Sequence, residues 1–219
     1  MNLREAIDAC LRHQPFIDEA LQEDLINLSS LARVLKPKLD KLTGKDIKES
    51  AIVMAIRRRE PKLQLRIQHK LQQFIATLGD IIVRSNLAAY TYTKSTALPT
   101  KQAQFLKAIG DAPKGMHSFT GGMEETTIVI SGHYIGELEK AMQGERLLEK
   151  ATGLSSITLR LPSSSSEVVG LYYFFLKHIA ATGVPIKEII STTNEATFIV
   201  HDADVNDAFA TINALKNPV

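Results

Sequence analysis

One pattern is written twice in the C-terminal two-thirds of this chain. Phe105, Leu106, Lys107 and Ile109 return as Phe175, Leu176, Lys177 and Ile179, and Glu125 and Thr127 return as Glu195 and Thr197, each pair 70 residues apart. A constant offset across two separated stretches makes them copies of one supersecondary unit. Neither copy carries a recognisable catalytic set, so the repeat points to recognition and regulation rather than to chemistry.

The second copy reads more clearly. Ser155–Leu161 alternates polar and apolar, as a half-buried strand does, and Pro162 stops it. Ser164-Ser165-Ser166-Glu167 has capping-box spacing and predicts a helix running to about Thr182, with Gly183 as terminator. Pro185–Thr192 and Ala196–Asp202 read as strands around a turn at Thr193-Asn194-Glu195, and Asp204 caps a final helix carrying Val205, Ala208, Phe209, Ile212 and Leu215. The first copy repeats this order through Leu87–Thr93, Thr100–Ile109, Met116–Thr120, Thr126–Ser131 and Ile135–Met142. The expected fold is α+β: two ferredoxin-like βαββα units in tandem, helices on one face of the sheet. Each unit lacks a fourth strand after its last helix. Ile81–Arg84 is a candidate to fill one such edge, which would otherwise invite pairing with another chain.

Gly170-Leu171-Tyr172-Tyr173-Phe174-Phe175-Leu176, then Ala181-Thr182-Gly183-Val184-Pro185-Ile186, then Ile189-Ile190-Ser191-Thr192 resembles the ACT-domain signature. Ser191, Thr192, Glu195, Ile199 and Val200 make it most similar to the regulatory region of aspartate kinases. Val169 and the preceding serines depart from that pattern. The resemblance covers 155–215 directly and 85–145 through the repeat. It implies a tandem ACT module that binds a small ligand, often an amino acid, between paired units. A helix N-terminus attracts a carboxylate, and serine hydroxyls add donors. Ser163, Ser164, Ser165, Ser166 and Gly170 are therefore the ligand-site candidates, with Ile186 and Ile189 flanking. The alternative is that Ser164 caps the helix and the other serines form a loop.

The net charge of +2 conceals a segregation: residues 1–29 carry −4, residues 30–75 carry +8 and the remainder −2. Before and within the basic block the pattern predicts a small helical domain. Pro15–Asp24 is one helix. A second follows Asn27-Leu28-Ser29-Ser30 and should stop or kink at Pro37. A third is capped by Asp46-Ile47-Lys48-Glu49 and ends in Arg57-Arg58-Arg59. This resembles a helix-turn-helix or winged-helix unit, whose third helix enters the DNA major groove while cations hold phosphates. Lys45, Lys48, Arg57, Arg58 and Arg59 are the nucleic-acid candidates. Against this, arginines at a helix C-terminus oppose the macrodipole by about 0.3–1 kcal/mol each with no ligand at all. Residues 61–78 read as a connecting helix with Leu63, Ile67, Leu71, Phe74 and Leu78 in a stripe. The expected domains are thus 1–60 (helical), 61–79 (connecting helix), 80–150 and 151–219 (the repeated units).

Other chemistry finds little support. A single cysteine, Cys10, makes neither an internal disulfide nor a cysteine-based zinc site. The six histidines never pair at metal-ligand spacing. His201-Asp202-Ala203-Asp204 sits at a strand end before a helix, where carboxylates cap. Gly121-Gly122 precedes a strand and has no Lys-Ser partner, so it is a turn and not a phosphate cradle. No apolar run is long enough to span a bilayer. The expectation is a cytoplasmic, non-enzymatic regulatory protein without a cofactor. It takes an amino acid as ligand, DNA as a candidate partner, and self-associates; the six-residue apolar run Leu171–Leu176 needs a cover, which a second subunit or packing of the two copies against each other would equally supply. The alternative is an interaction subunit that docks onto an amino-acid biosynthetic enzyme.

Overall fold

The computed structural model describes residues 1–12, 14–59, 71, 73–110 and 115–216. The chain forms two compact units, Met1–Arg66 and Ile67–Val219. The first begins with a helix the periodicity above did not include. Asn2 accepts the Glu5 amide at 2.9 Å and the Glu5 carboxylate accepts the Asn2 amide at 3.1 Å, a capping box opening α1 (Leu3–Leu11). Its buried Ala6, Ile7, Cys10 and Leu11 meet α2 (Pro15–Gln22), α3 (Leu28–Thr43) and α4 (Glu49–Arg57) in one core with Leu31, Leu35, Leu39, Ile52 and Ile56.

The expected stop or restart at Pro37 and the expected Asp46 capping box both fail in this unit. Pro37 neither stops nor splits its helix: α3 runs through it to Gly44, whose φ of 69° lets the chain leave in the left-handed region. Asn27, accepting the Ser30 amide at 3.0 Å, and the packing of Leu31, Leu35 and Leu39 hold α3 together across the proline. The Asp46 capping box is not formed either. Asp46 pairs with Lys36 instead, while Asp40 accepts the Ile47 amide at 2.9 Å. That amide bond, with Lys36 beside it, holds the Asp40 carboxyl below the usual carboxylate range.

The second unit opens where the expected connecting helix ends. Residues 60–70 lie outside the described residues, but residues 73–76 are helical and Leu71, Phe74, Ile75 and Leu78 are buried. The chain then alternates β1 (Ile81–Thr93), α5 (Leu98–Ile109), β2 (His117–Gly121), β3 (Glu125–Ser131), α6 (Ile135–Ala141), β4 (Leu147–Arg160), α7 (Leu171–Ala181), β5 (Glu188–Ser191), β6 (Glu195–His201) and α8 (Val205–Lys216). The order is βαββα twice. All six strands join one antiparallel sheet, β2-β3-β1-β4-β6-β5.

Ile81–Arg84 fills such an edge: it is the first part of the central strand β1 and pairs with Ser156–Leu159, in the first strand of the second half. The missing fourth strands are explained by that pairing. A β-α-β-β-α-β unit sets its fourth strand beside its first, and here β4 does this for the first half while β1 does it for the second. Each half is completed by the other.

The seam has local two-fold character. Leu87 pairs with Leu154, and bulges lie on either side of that pair. One is at Asn86, with φ 57°; the other is at Gly153, with φ 66°. Both pairs of positions are 67 residues apart (153 − 86 and 154 − 87). The offset is thus 67 in the first strands and 70 beyond them, which places three extra residues in the connection 161–170 of the second half (70 − 67). The halves also exchange bulk around the bulges. A Cβ at Gly132 would lie 2.2 Å from Asn86, whereas at Gly153 it is Asp202 that approaches, to 3.7 Å.

One face of the sheet carries α5, α6, α7 and α8, and Leu71, Phe74 and Ile75 join the core there. Ala88, Tyr90, Tyr92, Ile128 and Ile130 pack on Phe105 and Leu138, and Ile157, Leu159, Phe198 and Val200 pack on Phe175, Ile179 and Ile212. The other face is concave. Leu87, Ala89, Val129, Leu154 and Ile199 are buried there together with Met116, beside β2, and Ile190, on β5. Residues from both sheet edges share this cluster, so the sheet curls around it. Among the described residues no helix is long and apolar enough to cross a membrane.

Candidate ligand-binding sites

The serines do not cap the following helix. Ser163–Glu167 forms a 3₁₀ turn, and the chain extends at Val168. Helix α7 starts only at Leu171, behind Gly170 at φ 84°, with no side-chain cap. Two β-branched residues and a left-handed glycine separate the turn from the helix, which is why the capping box fails. Ser165 is buried and donates to the Thr193 carbonyl at 3.0 Å, while Ser163 and Ser164 are exposed. Tyr172 and Ser191 share a hydrogen bond, and Leu161 donates its amide to the Asn194 carbonyl at 2.7 Å. The serine turn, the first turn of α7 and the β5–β6 turn are thereby brought together. Ile186 is half-buried against the helix-side core, and Ile189 is exposed. Of the apolar run, Leu171 and Phe175 are buried, leaving Tyr172 and Tyr173 each 38% exposed.

A cleft of about 400 Å³ opens on the concave face, in the size range of small-molecule sites. Its floor is a cross-strand row, Ile82–Thr158–Thr197–Ile190, running over β1, β4, β6 and β5. The Thr158 and Thr197 hydroxyls are hydrogen-bonded at 2.8 Å. Arg84 lines one part of the rim, Thr192 and Glu195 another, and residues 115–118 beside β2 close the side. Among the described residues neither Arg84 nor Glu195 enters an ion pair. In the next row inward lies Ser156, paired with Arg84 and Ile199; it is fully buried, and its hydroxyl has no partner. A buried hydroxyl without a partner is uncommon and marks a place where a polar atom is wanted.

This cleft has a counterpart across the two-fold, where charged side chains from β4 and the start of β5 stand close by. Thr91 and Thr127 are 67 and 70 residues before Thr158 and Thr197, and their hydroxyls are likewise bonded, at 3.1 Å. There Glu188 of β5 lies near Thr127, and Lys187 pairs with Glu149. Burial, with Glu149 nearby, pushes the Glu188 carboxyl up, against the pull of Lys187 and Thr127. The position equivalent to Glu188 in the cleft is Ser118, and the one equivalent to Glu149 is Ile82. Sequence reasoning used Glu195 and Thr197 as markers of the repeat, and Glu195 as part of a turn and of the family resemblance, but not as site residues. Their role on the cleft rests on the curl of the sheet, which no local pattern announces.

The nucleic-acid candidates divide. Lys45, Lys48, Arg57 and Arg58 are exposed. Arg59 is corrected: its guanidinium bonds Asp8 at 2.7 Å and also Asp18, a carboxylate only 3% exposed. Burial works against its charge, but these carboxylates outweigh it and hold its pKa above the usual value. Arg59 neutralises a buried acid of its own unit and does not face a phosphate. Asp202 accepts from Ser155 at 2.5 Å, and among the described residues no three His, Cys, Asp or Glu side chains gather as metal ligands.

No protein-family model matches this sequence, and no curated protein matches it. Solved structures do. The regulatory subunit of aspartate kinase from Thermus thermophilus aligns with TM-score 0.52 at 10% identity over 63% of this chain and 97% of that one. The aspartate kinase of Clostridium acetobutylicum gives TM-score 0.54 at 13% identity over 64% of this chain, but only 35% of the kinase is matched. The aspartokinase alpha and beta subunits give 0.51 at 12% identity over 64% of this chain and 99% of that chain. The likeness is one of fold: an α+β antiparallel sheet of the kind found in aspartate kinase regulatory regions.

Proposed function

We propose that this chain is a non-enzymatic regulatory protein that senses an amino acid through two ACT-like, ferredoxin-like units in tandem. The observation that carries the reading is the reciprocal completion of the two βαββα halves across the β1–β4 seam. A ligand held on a surface to which both halves contribute shifts them together, and it does so through its different affinity for two arrangements. The serine turn Ser163–Ser166 and Gly170 stay within this reading as the loop that senses occupancy, joined to the sheet through the β5–β6 turn. The fold it shares with a regulatory subunit matched along 97% of its length supports the reading.

The test is a thermal-shift screen of the full chain against the proteinogenic amino acids. A binder at about 100-fold its dissociation constant adds roughly 2.7 kcal/mol, which raises the melting temperature visibly. A flat screen removes the sensing role and leaves the docking role ahead. That second reading, a subunit that associates with a biosynthetic enzyme or with its own copies, draws on the exposed Tyr172 and Tyr173. In the fuller form of the proposal the helical unit binds DNA through Lys45, Lys48, Arg57 and Arg58. A gel shift that weakens steeply with salt supports that form, and no shift at low salt removes it.

A further inference from the structure

We infer that the concave cleft is the ligand site, and that it takes a free α-amino acid with an uncharged, mainly aliphatic side chain. The inference rests on the sensing reading above and moves its site from the serine turn to the sheet.

The two halves supply the argument. Near the Thr91–Thr127 bridge the protein places its own carboxylate, that of Glu188, with the Lys187–Glu149 pair from β4 and the start of β5. Over the matching Thr158–Thr197 bridge there is an open volume, with Ser118 standing where a second glutamate would be. A bound carboxylate on this side would reproduce what Glu188 does on the other. Arg84 on the rim supplies the cation to receive it, and the unpartnered Ser156 hydroxyl marks the row in which Arg84 lies. A lone carboxylate would leave Glu195 facing an unoccupied space. An α-ammonium group on the same ligand answers Glu195, so the two unpaired charges of the rim match a zwitterion. The apolar part of the wall is Ile82, Met116 and Ile190, which suits an aliphatic or thioether side chain; Gly115, His117, Ser118 and the threonines make up the rest, and among the described residues no further carboxylate, lysine or arginine lines it.

The test is calorimetry on the full chain with leucine, isoleucine, methionine and threonine as probes. At least one is expected to bind. Arg84→Gln and Glu195→Gln each weaken that binder about tenfold or more, and so do its N-acetyl and carboxamide derivatives, each of which removes one charge. Ser118→Glu, which writes the Glu188 arrangement into the cleft, is expected to abolish binding without lowering the melting temperature of the free protein. Ser163→Ala with Ser164→Ala changes affinity less than threefold. All substituted residues except Ser118 are exposed, so folding is retained, and circular dichroism verifies it. Binding that survives Arg84→Gln and Ser118→Glu but falls with the serine substitutions overturns the cleft while keeping the sensing role. A binder indifferent to loss of its ammonium group overturns the zwitterion. No binding by any of the four probes overturns the inference, and the wider screen above then decides whether sensing itself falls.

Discussion

The two halves of the sheet share a topology and differ in what occupies their inner faces. In the first half a threonine bridge has Glu188 and the Lys187–Glu149 pair close by; in the second the same bridge floors an open cleft. The connections differ in the same sense. Residues 94–97 link strand to helix in the first half, whereas residues 161–170, with the serine turn, do so in the second. The elements that build the seam match and the elements that frame a ligand do not. The architecture is therefore fixed by the shared seam, leaving the second half's bridge open while β4 and β5 of that same half bring side chains to the first half's bridge.

The largest effect that would sharpen this comparison lies in the cores. Phe105 and Phe175 occupy equivalent helix positions and are 0% and 1% exposed, so Phe105→Ala and Phe175→Ala should each cost about 3–5 kcal/mol. Because each half borrows a strand from the other, urea unfolding of either variant should show one transition for the whole sheet unit. Two transitions would separate the halves.

A smaller effect concerns the exchanged bulk. Gly132→Ala drives a Cβ against Asn86 and should cost about 1–3 kcal/mol. Adding Asn86→Gly should return most of it, since glycine is at ease with the positive φ found there. A double-mutant cycle measures the coupling, and additivity of the two changes would contradict the contact.

Ser165→Ala removes a hydrogen bond that the first half has no equivalent of, and should cost about 1 kcal/mol. Faster hydrogen exchange confined to residues 161–170 and the β5–β6 turn would place the effect in the second half alone.

The smallest effect is a pH dependence at Glu188 of β5. Burial raises the folded-state pKa of Glu188 above its unfolded value, so the folded state binds this proton more tightly. Stability from this group is full at pH below the ordinary carboxylate range and is lost as pH rises through the raised value. Glu188→Gln should therefore stabilise by less than about 0.5 kcal/mol at pH 7, after allowance for solvent screening, and by nothing near pH 3. Chemical denaturation at the two pH values checks the sign.

Much of the fold was legible because the repeat is helical at Phe105 and Phe175 and strand-like at Glu125–Thr127 and Glu195–Thr197, each with its own period. The outer parts of β1 and β4 were not read as one paired strand each, since Asn86 and Gly153 break the alternation where the bulges fall. The serine turn misled because its spacing fits a capping box, while Val168-Val169-Gly170 forbids the helix from starting there. Helix α1 was readable from Asn2 and Glu5 with Ala6, Ile7, Cys10 and Leu11 behind them. The cleft was not readable at all: Ile82, Arg84, Met116, Thr158, Ile190 and Glu195 come from all along the unit and meet through sheet curl.

Amide hydrogen exchange across the seam tests the central claim most directly. If the halves complete each other, amides of β1 near Leu87 and of β4 near Leu154 should open together, with the highest protection in the chain and one common free energy. Independent opening of the two strands, with one protected and the other exchanging freely, would contradict it.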